Sequence, residues 1–237
     1  MTQATTKHIG IIAVSAEGAA LCYRTICKEG AEALGRHTHP VVTMHTVPLA
    51  KYMEAIDEDR WDLVADLLLR SARILAEAGA DFLICPDNTV HRAFDWIGNR
   101  APLPWLHIAE VVAETAAEKG YRRVGLLGTR YLMESPVYPN RLAHVGIEHV
   151  IPDEADREKI NSIIFDELVY ARFEDATREF LEEVMKRLQT RGCDAIVMAC
   201  TELPLILRQQ DSPLPLLDST RLLARKALKE AVKGEAR

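Results

Sequence analysis

The chain carries one pattern twice. Residues 79–91 read GADFLICPDNTVH and residues 192–204 read GCDAIVMACTELP, 113 positions apart. In this register Gly79 falls on Gly192, Asp81 on Asp194, Asp87 on Cys200 and Thr89 on Glu202. An earlier pair, HIGIIAV at 8–14 and RVGLLGT at 123–129, lies 115 apart by its glycines, and a later pair, APLPWLHI at 101–108 and SPLPLLDS at 212–219, lies 111 apart. Three segments in one order at nearly equal spacing point to a duplicated unit, so the same architecture is expected twice.

Between these apolar runs lie helical patterns at 16–34, 60–78, 109–119, 173–190 and 220–233. Short Val/Ile/Leu strands alternating with amphipathic segments imply βαβ units, hence parallel sheets covered by helices on both faces. The expected fold class is α/β, with two pseudo-symmetric doubly wound parallel-sheet lobes and the active site between them. Residues 1–108 plus 210–237 are assigned to the first lobe, the C-terminal helix returning to it, and 109–209 to the second. At 237 residues and 48% apolar content, each lobe has material for its own core.

Several classes are set aside. The five cysteines, Cys22, Cys27, Cys85, Cys193 and Cys200, are odd in number and form no CxxC pair, which argues against a disulfide framework or structural zinc. His37, His39 and His45 have no carboxylate or thiol beside them at a familiar metal spacing and are read as a loop and strand start. Neither a P-loop nor GxGxxG is present, so no nucleotide cofactor is expected. The opening MTQATTKHIG has no basic end followed by an apolar run, and no segment reaches the length of a membrane span, so a cytoplasmic protein is expected. A net charge of −6 without a basic stripe argues against nucleic acid and anionic membrane as partners.

In parallel sheets ligands bind beyond the carboxyl ends of the strands. Asp87, Asn88 and Thr89 stand at one such end, and Cys200, Thr201 and Glu202 at its repeat mate. Facing lobes suit a reaction at a carbon where one group removes a proton from one side and another delivers a proton to the other side, nearby donors holding the anionic intermediate. A thiol, with an ordinary pKa of about 8.5, can serve in either direction near neutrality.

These residues resemble a known family, the cofactor-independent aspartate/glutamate racemases, over nearly the whole chain. Its first lobe carries C-N-T-x-H and its second G-C-T-E; here these stand as Asp87-Asn88-Thr89-Val90-His91 and Ala199-Cys200-Thr201-Glu202, alongside MHTVPL, LCYRTI, LLGT with Met133 and Tyr138, and ELPLIL. The resemblance implies two lobes with the site between them, Cys200 as a catalytic thiol, Asp87 in the place of its partner, and a homodimer. It also implies Asn88, Thr89, Thr129 and Thr201 as donors to a substrate α-carboxylate, with Ser15 added as the repeat mate of Thr129. His91 and Glu202 are read as supporting groups. Three departures accompany it: Asp87 replaces the first cysteine, Ala13-Val14 replaces a double glycine, and Tyr170 follows Glu167-Leu168-Val169 where the family often has a lysine for the substrate's distal carboxylate.

Asp87 has three readings. As a base it starts about 4 to 5 pKa units below a thiol, roughly 6 kcal/mol, which burial can narrow. As an orienting acceptor it would leave Cys200 the one proton donor. As a cap it would only start the following helix. Cys85, two residues earlier, is either a displaced thiol or a small core residue, and its apolar repeat mate Met198 favours the core. The expected function is cofactor-free racemisation of a small amino acid, aspartate or glutamate, through Asp87 and Cys200. The alternatives are a one-sided single-thiol lyase, such as a decarboxylase of a substituted malonate, or a carboxylate-binding protein without turnover.

Overall fold

A computed structural model describes residues 6–233. They group into two compact units, one of 6–108 with 220–233 and the other of 109–219. The first contains β1 (Ile9–Ala13), α1 (Ala16–Leu34), β2 (Val42–Thr46), α2 (Leu49–Asp57), α3 (Trp61–Glu77), β3 (Phe82–Ile84), α4 (Phe94–Ile97) and β4 (Trp105–Leu106). Helix α5 (Ile108–Glu118) opens the second unit, followed by β5 (Arg123–Leu127), α6 (Arg130–Met133), α7 (Val137–His144), β6 (Glu148–Val150), α8 (Glu154–Asp166), α9 (Asp175–Thr190), β7 (Ala195–Met198), α10 (Leu203–Ile206) and β8 (Leu216–Asp218). Helix α11 (Ser219–Val232) then returns to the first unit, where Arg225 pairs with Glu29 of α1 at 2.8 Å.

Each unit holds one four-stranded parallel sheet, ordered β2-β1-β3-β4 in the first and β6-β5-β7-β8 in the second. The two orders are the same once the repeat is applied. Central strand β1 is buried at all five positions, which is why it reads as an unbroken apolar run, whereas edge strand β2 is half exposed. Helix α3 buries Val64, Leu68, Ala72 and Leu75, the three- and four-residue spacing of an amphipathic stripe.

The duplication extends to individual contacts. A methyl group on Gly10 would stand 2.9 Å from Leu83 and 3.3 Å from Leu75; one on Gly125 would stand 2.8 Å from Ile196 and 2.9 Å from Leu188. Leu75 and Leu188, like Leu83 and Ile196, are 113 positions apart. In both units a glycine in the central strand lets the covering helix approach closely.

The repeated G-x-D has a structural origin too. Gly79 (φ +86°) and Gly192 (φ +83°) take the left-handed turn after α3 and α9. Two residues on, the Asp81 carboxylate accepts from the His8 amide at 2.6 Å and the Asp194 carboxylate from the Arg122 amide at 2.7 Å. Each aspartate ties the start of one central strand to its neighbour.

One boundary differs from expectation. Residues 210–219, assigned above to the first lobe, belong to the second unit, because β8 pairs with β7 from Ile196↔Leu216 to Met198↔Asp218. The strand pairing holds them there, and the chain crosses back only at α11.

Candidate active site

In the first unit β3 ends at Ile84, and Asp87 follows Cys85 and Pro86 on the carboxyl side of the sheet. The next element is not a long helix but a 3-10 turn, Thr89–Ala93. The half-buried Asp87 carboxylate accepts the Val90 amide at 3.2 Å, a bond of the kind a capping residue makes. Asn88 is buried and Thr89 half-buried at the same corner.

His91 is held by backbone groups at both ring nitrogens. Nε2 accepts from the Ile108 amide at 3.4 Å, which requires Nδ1 to carry the proton, and Nδ1 donates to the Asp87 carbonyl at 2.7 Å. The ring is 2% exposed and stacks on Phe94, with His107 edge-on at 4.5 Å. His91 thus positions the Asp87 backbone relative to the start of α5.

Cys85 is fully buried. Removal from water drives its thiol pKa well up, and the neighbouring Asp87 charge pushes the same way, so this sulfur stays protonated. Core packing describes it better than displaced catalysis.

In the second unit β7 ends at Met198, and Cys200 follows at the same edge. Glu202, 5% exposed, turns its carboxylate back onto its own loop: Oε2 accepts from the Cys200 thiol at 2.9 Å and from the Thr201 hydroxyl at 2.8 Å. A thiol that donates to a buried carboxylate has its proton aligned and a group able to exchange it. Helix α10, which follows, is a single turn that starts at Leu203 and carries Pro204 as its second residue.

Thr129 is brought to this corner by Gly128, where a methyl group would stand 2.8 Å from the Ala199 carbonyl oxygen. The ends of β5 and β7 therefore meet backbone to backbone. Thr129 caps α6 by accepting from the Leu132 amide at 3.3 Å, and its repeat mate Ser15 caps α1 by accepting from Gly18 at 3.3 Å. In the glycine register Ala13 falls on Gly128 and Val14 on Thr129, so the capping Ser15 lies one residue later in its unit than Thr129 and the two corners are unequal.

Two buried polar residues of the first unit escaped the sequence reading, Tyr52 of α2 and Ser71 of α3, both 0% exposed. Ser71 had a signal: it breaks the apolar stripe of α3 between Leu68 and Leu75. Tyr170, noted for its place after Glu167-Leu168-Val169, is 71% exposed. Among the described residues no cluster of His, Cys, Asp and Glu could hold a metal ion, and no helix is long and apolar enough to cross a membrane.

Residues 9–227 match the family model Asp/Glu/Hydantoin racemase. The broad specificity amino-acid racemase RacX of Bacillus subtilis (strain 168) is 26% identical over 188 residues, 79% of this chain and 80% of RacX. Among solved structures, a candidate Asp/Glu racemase from Yersinia pestis superposes with a TM-score of 0.88 at 33% identity, covering 95% of this chain and 99% of that one. An aspartate racemase homologue from Pyrococcus horikoshii OT3 gives 0.82 at 28% identity, covering 95% and 99%.

Proposed function

From the premise that this chain belongs to the Asp/Glu/hydantoin racemase family, we propose that it racemises a small amino acid, aspartate or glutamate, without a cofactor, with Asp87 and Cys200 as the two acid–base groups. The observation that carries this reading is the Cys200 thiol at the carboxyl end of β7, donating to the buried Glu202 carboxylate. In one direction Asp87 takes the α-proton as the Cα–H bond breaks, and the Cys200 thiol delivers its proton to the opposite face as the new Cα–H bond forms. The enzyme is left with a protonated Asp87 and a Cys200 thiolate; the reverse reaction starts from that state. Asn88, Thr89, Thr129 and Ser15 serve as donors to the substrate carboxylate, Thr201 joins them by turning its hydroxyl from Glu202, and Glu202 orients the thiol and exchanges its proton. The same reading makes the protein a cytoplasmic homodimer.

One observation favours a second reading. Asp87 already accepts the Val90 amide, and a carboxylate confined to capping would leave Cys200 as a one-sided proton donor, as in a single-thiol decarboxylase of a substituted malonate or another lyase. Incubating the protein with free amino acids and small dicarboxylates in D₂O and following α-proton exchange by NMR separates the two. Exchange and inversion of both enantiomers of one amino acid supports the racemase. Decarboxylation, or exchange of one enantiomer alone without inversion, replaces it with the one-sided enzyme.

A further inference from the structure

The Asp87 carboxylate is aimed by a neighbour on its own loop: Oδ1 accepts the Val90 amide at 3.2 Å, and Val90 lies on the 3-10 turn Thr89–Ala93. What holds that turn holds the carboxylate. His91 ties the turn to the start of α5 through the Ile108 amide. The next residue, Arg92, ties it to a different place.

Arg92 reaches the corner between α2 and α3. Its guanidinium lies over the Trp61 ring, with Cζ 4.4 Å from the centroid, and Nη2 donates to Asp59 Oδ1 at 3.3 Å. Trp61 Nε1 donates to the same oxygen at 2.6 Å, so ring, carboxylate and guanidinium each touch the other two. The Asp59 side chain is 76% exposed, and an ion pair of that kind alone would hold little. The anchor is the Trp61 ring, 2% exposed in the first turn of α3, on which the stacked guanidinium gains cation–π attraction.

The backbone at Asp59 points the same way. It stands at φ +54° just after α2, a left-handed conformation that glycine adopts freely and an aspartate adopts against steric resistance. The carboxylate at this position is accounted for by the two donors it holds. The second unit lacks these residue types in register: at the offset of 113, Asp59 falls on Arg172, Trp61 on Glu174 and Arg92 on Leu205. There the Cys200 thiol is oriented from within its own loop by Glu202, whose repeat mate in the first unit is Thr89. The clamp thus belongs to the unit that carries Asp87.

On the racemase reading, we propose that Arg92 is a positioning residue for Asp87. It fixes the 3-10 turn against the α2–α3 corner, the turn fixes the Val90 amide, and the amide fixes the direction from which the Asp87 carboxylate meets the α-proton. Without the clamp the carboxylate samples more directions, and a smaller fraction of bound complexes transfers a proton. Substrate binding changes less, because Ser15, Thr129 and Thr201 hold the substrate carboxylate from other segments.

The test uses the full chain and the amino acid found in the deuterium screen. Arg92→Met keeps the stem and removes the guanidinium, and Asp59→Gly removes the carboxylate at a position whose backbone suits glycine. Each is expected to lower kcat by about fivefold while KM changes by less than about twofold. Arg92→Lys, which returns a cation over Trp61 and a donor to Asp59, should turn over faster than Arg92→Met. A kcat within about twofold of the parent in either Arg92→Met or Asp59→Gly, or a KM that rises by more than kcat falls, overturns the positioning role. So does an Arg92→Lys variant no faster than Arg92→Met, and each of these results leaves the racemase reading standing. A parent protein that exchanges no amino acid α-proton ends both.

Discussion

The Cys200 thiol and the Glu202 carboxylate share a hydrogen bond of 2.9 Å inside the second unit, and Thr201 donates to the same carboxylate oxygen at 2.8 Å. Because the two donors converge on one buried acceptor, the loop holds the thiol in a single orientation. Cys200→Ser keeps the donor and its size but replaces the thiol with a far weaker acid. Racemisation should fall by roughly 10²–10⁴-fold with an unchanged melting temperature. Glu202→Gln retains an acceptor but not a proton-exchanging group, and should lower kcat while leaving thermal stability near that of the parent. Near-normal racemisation by Cys200→Ser removes this residue from the mechanism.

Asp87 is both a cap and the proposed base, and one substitution parts these roles. Asp87→Asn preserves an oxygen for the Val90 amide, so stability should change by less than about 1 kcal/mol. An amide does not take up the α-proton, so exchange from the face served by Asp87 should stop, while exchange through Cys200 continues. Asp87→Cys should return activity, because a thiolate is the stronger base. If Asp87→Asn racemises as fast as the parent in a chiral assay, the carboxylate is a cap and nothing more.

Gly10 and Gly125 make matched predictions for the two units. Adding a methyl group to either forces contacts shorter than 3 Å with Leu83 or Ile196. Gly10→Ala and Gly125→Ala should each destabilise by about 1–3 kcal/mol, read by denaturant melts. A neutral outcome at either site would show that its helix can move away at little cost.

Cys85 predicts an alkaline sensitivity. Its folded pKa is raised by burial and by Asp87, whereas the unfolded thiol ionises near about 8.5. The unfolded chain therefore loses that proton first, and stability, complete below this pH, falls as pH rises above it. Cys85→Ala should flatten the fall between about pH 8.5 and 10 while leaving racemisation largely intact. Native Cys85 should resist iodoacetamide over the same range until the protein is unfolded; rapid labelling of the folded protein would contradict its burial.

Much of this was legible in the chain itself. The repeat of GADFLI and GCDAIV, with its glycines at 10 and 125, foretold two sheets of the same strand order, because strand period, turn glycines and helix-facing glycines are local requirements that leave local marks. Cys200 and Asp87 were marked by standing where an apolar run breaks at a strand end. Helix α1 was read to its last residue, Leu34, since Ser15 caps one end and Gly35 closes the other.

Packing between distant segments decided the rest. That residues 210–219 stay with the second unit depends on β8 hydrogen-bonding to β7, and a strand's neighbour is set by contacts the strand's own residues do not spell out. The pinning of His91 between the Asp87 carbonyl and the Ile108 amide, and the bond between His45 of β2 and Ser71 of α3, bring together polar groups from separate turns, strands or helices, while the turning back of Glu202 onto Cys200 is set by the path of one loop. A side chain's type states which bonds it can make. Which of them it makes depends on what the folded chain places within about 3 Å of it.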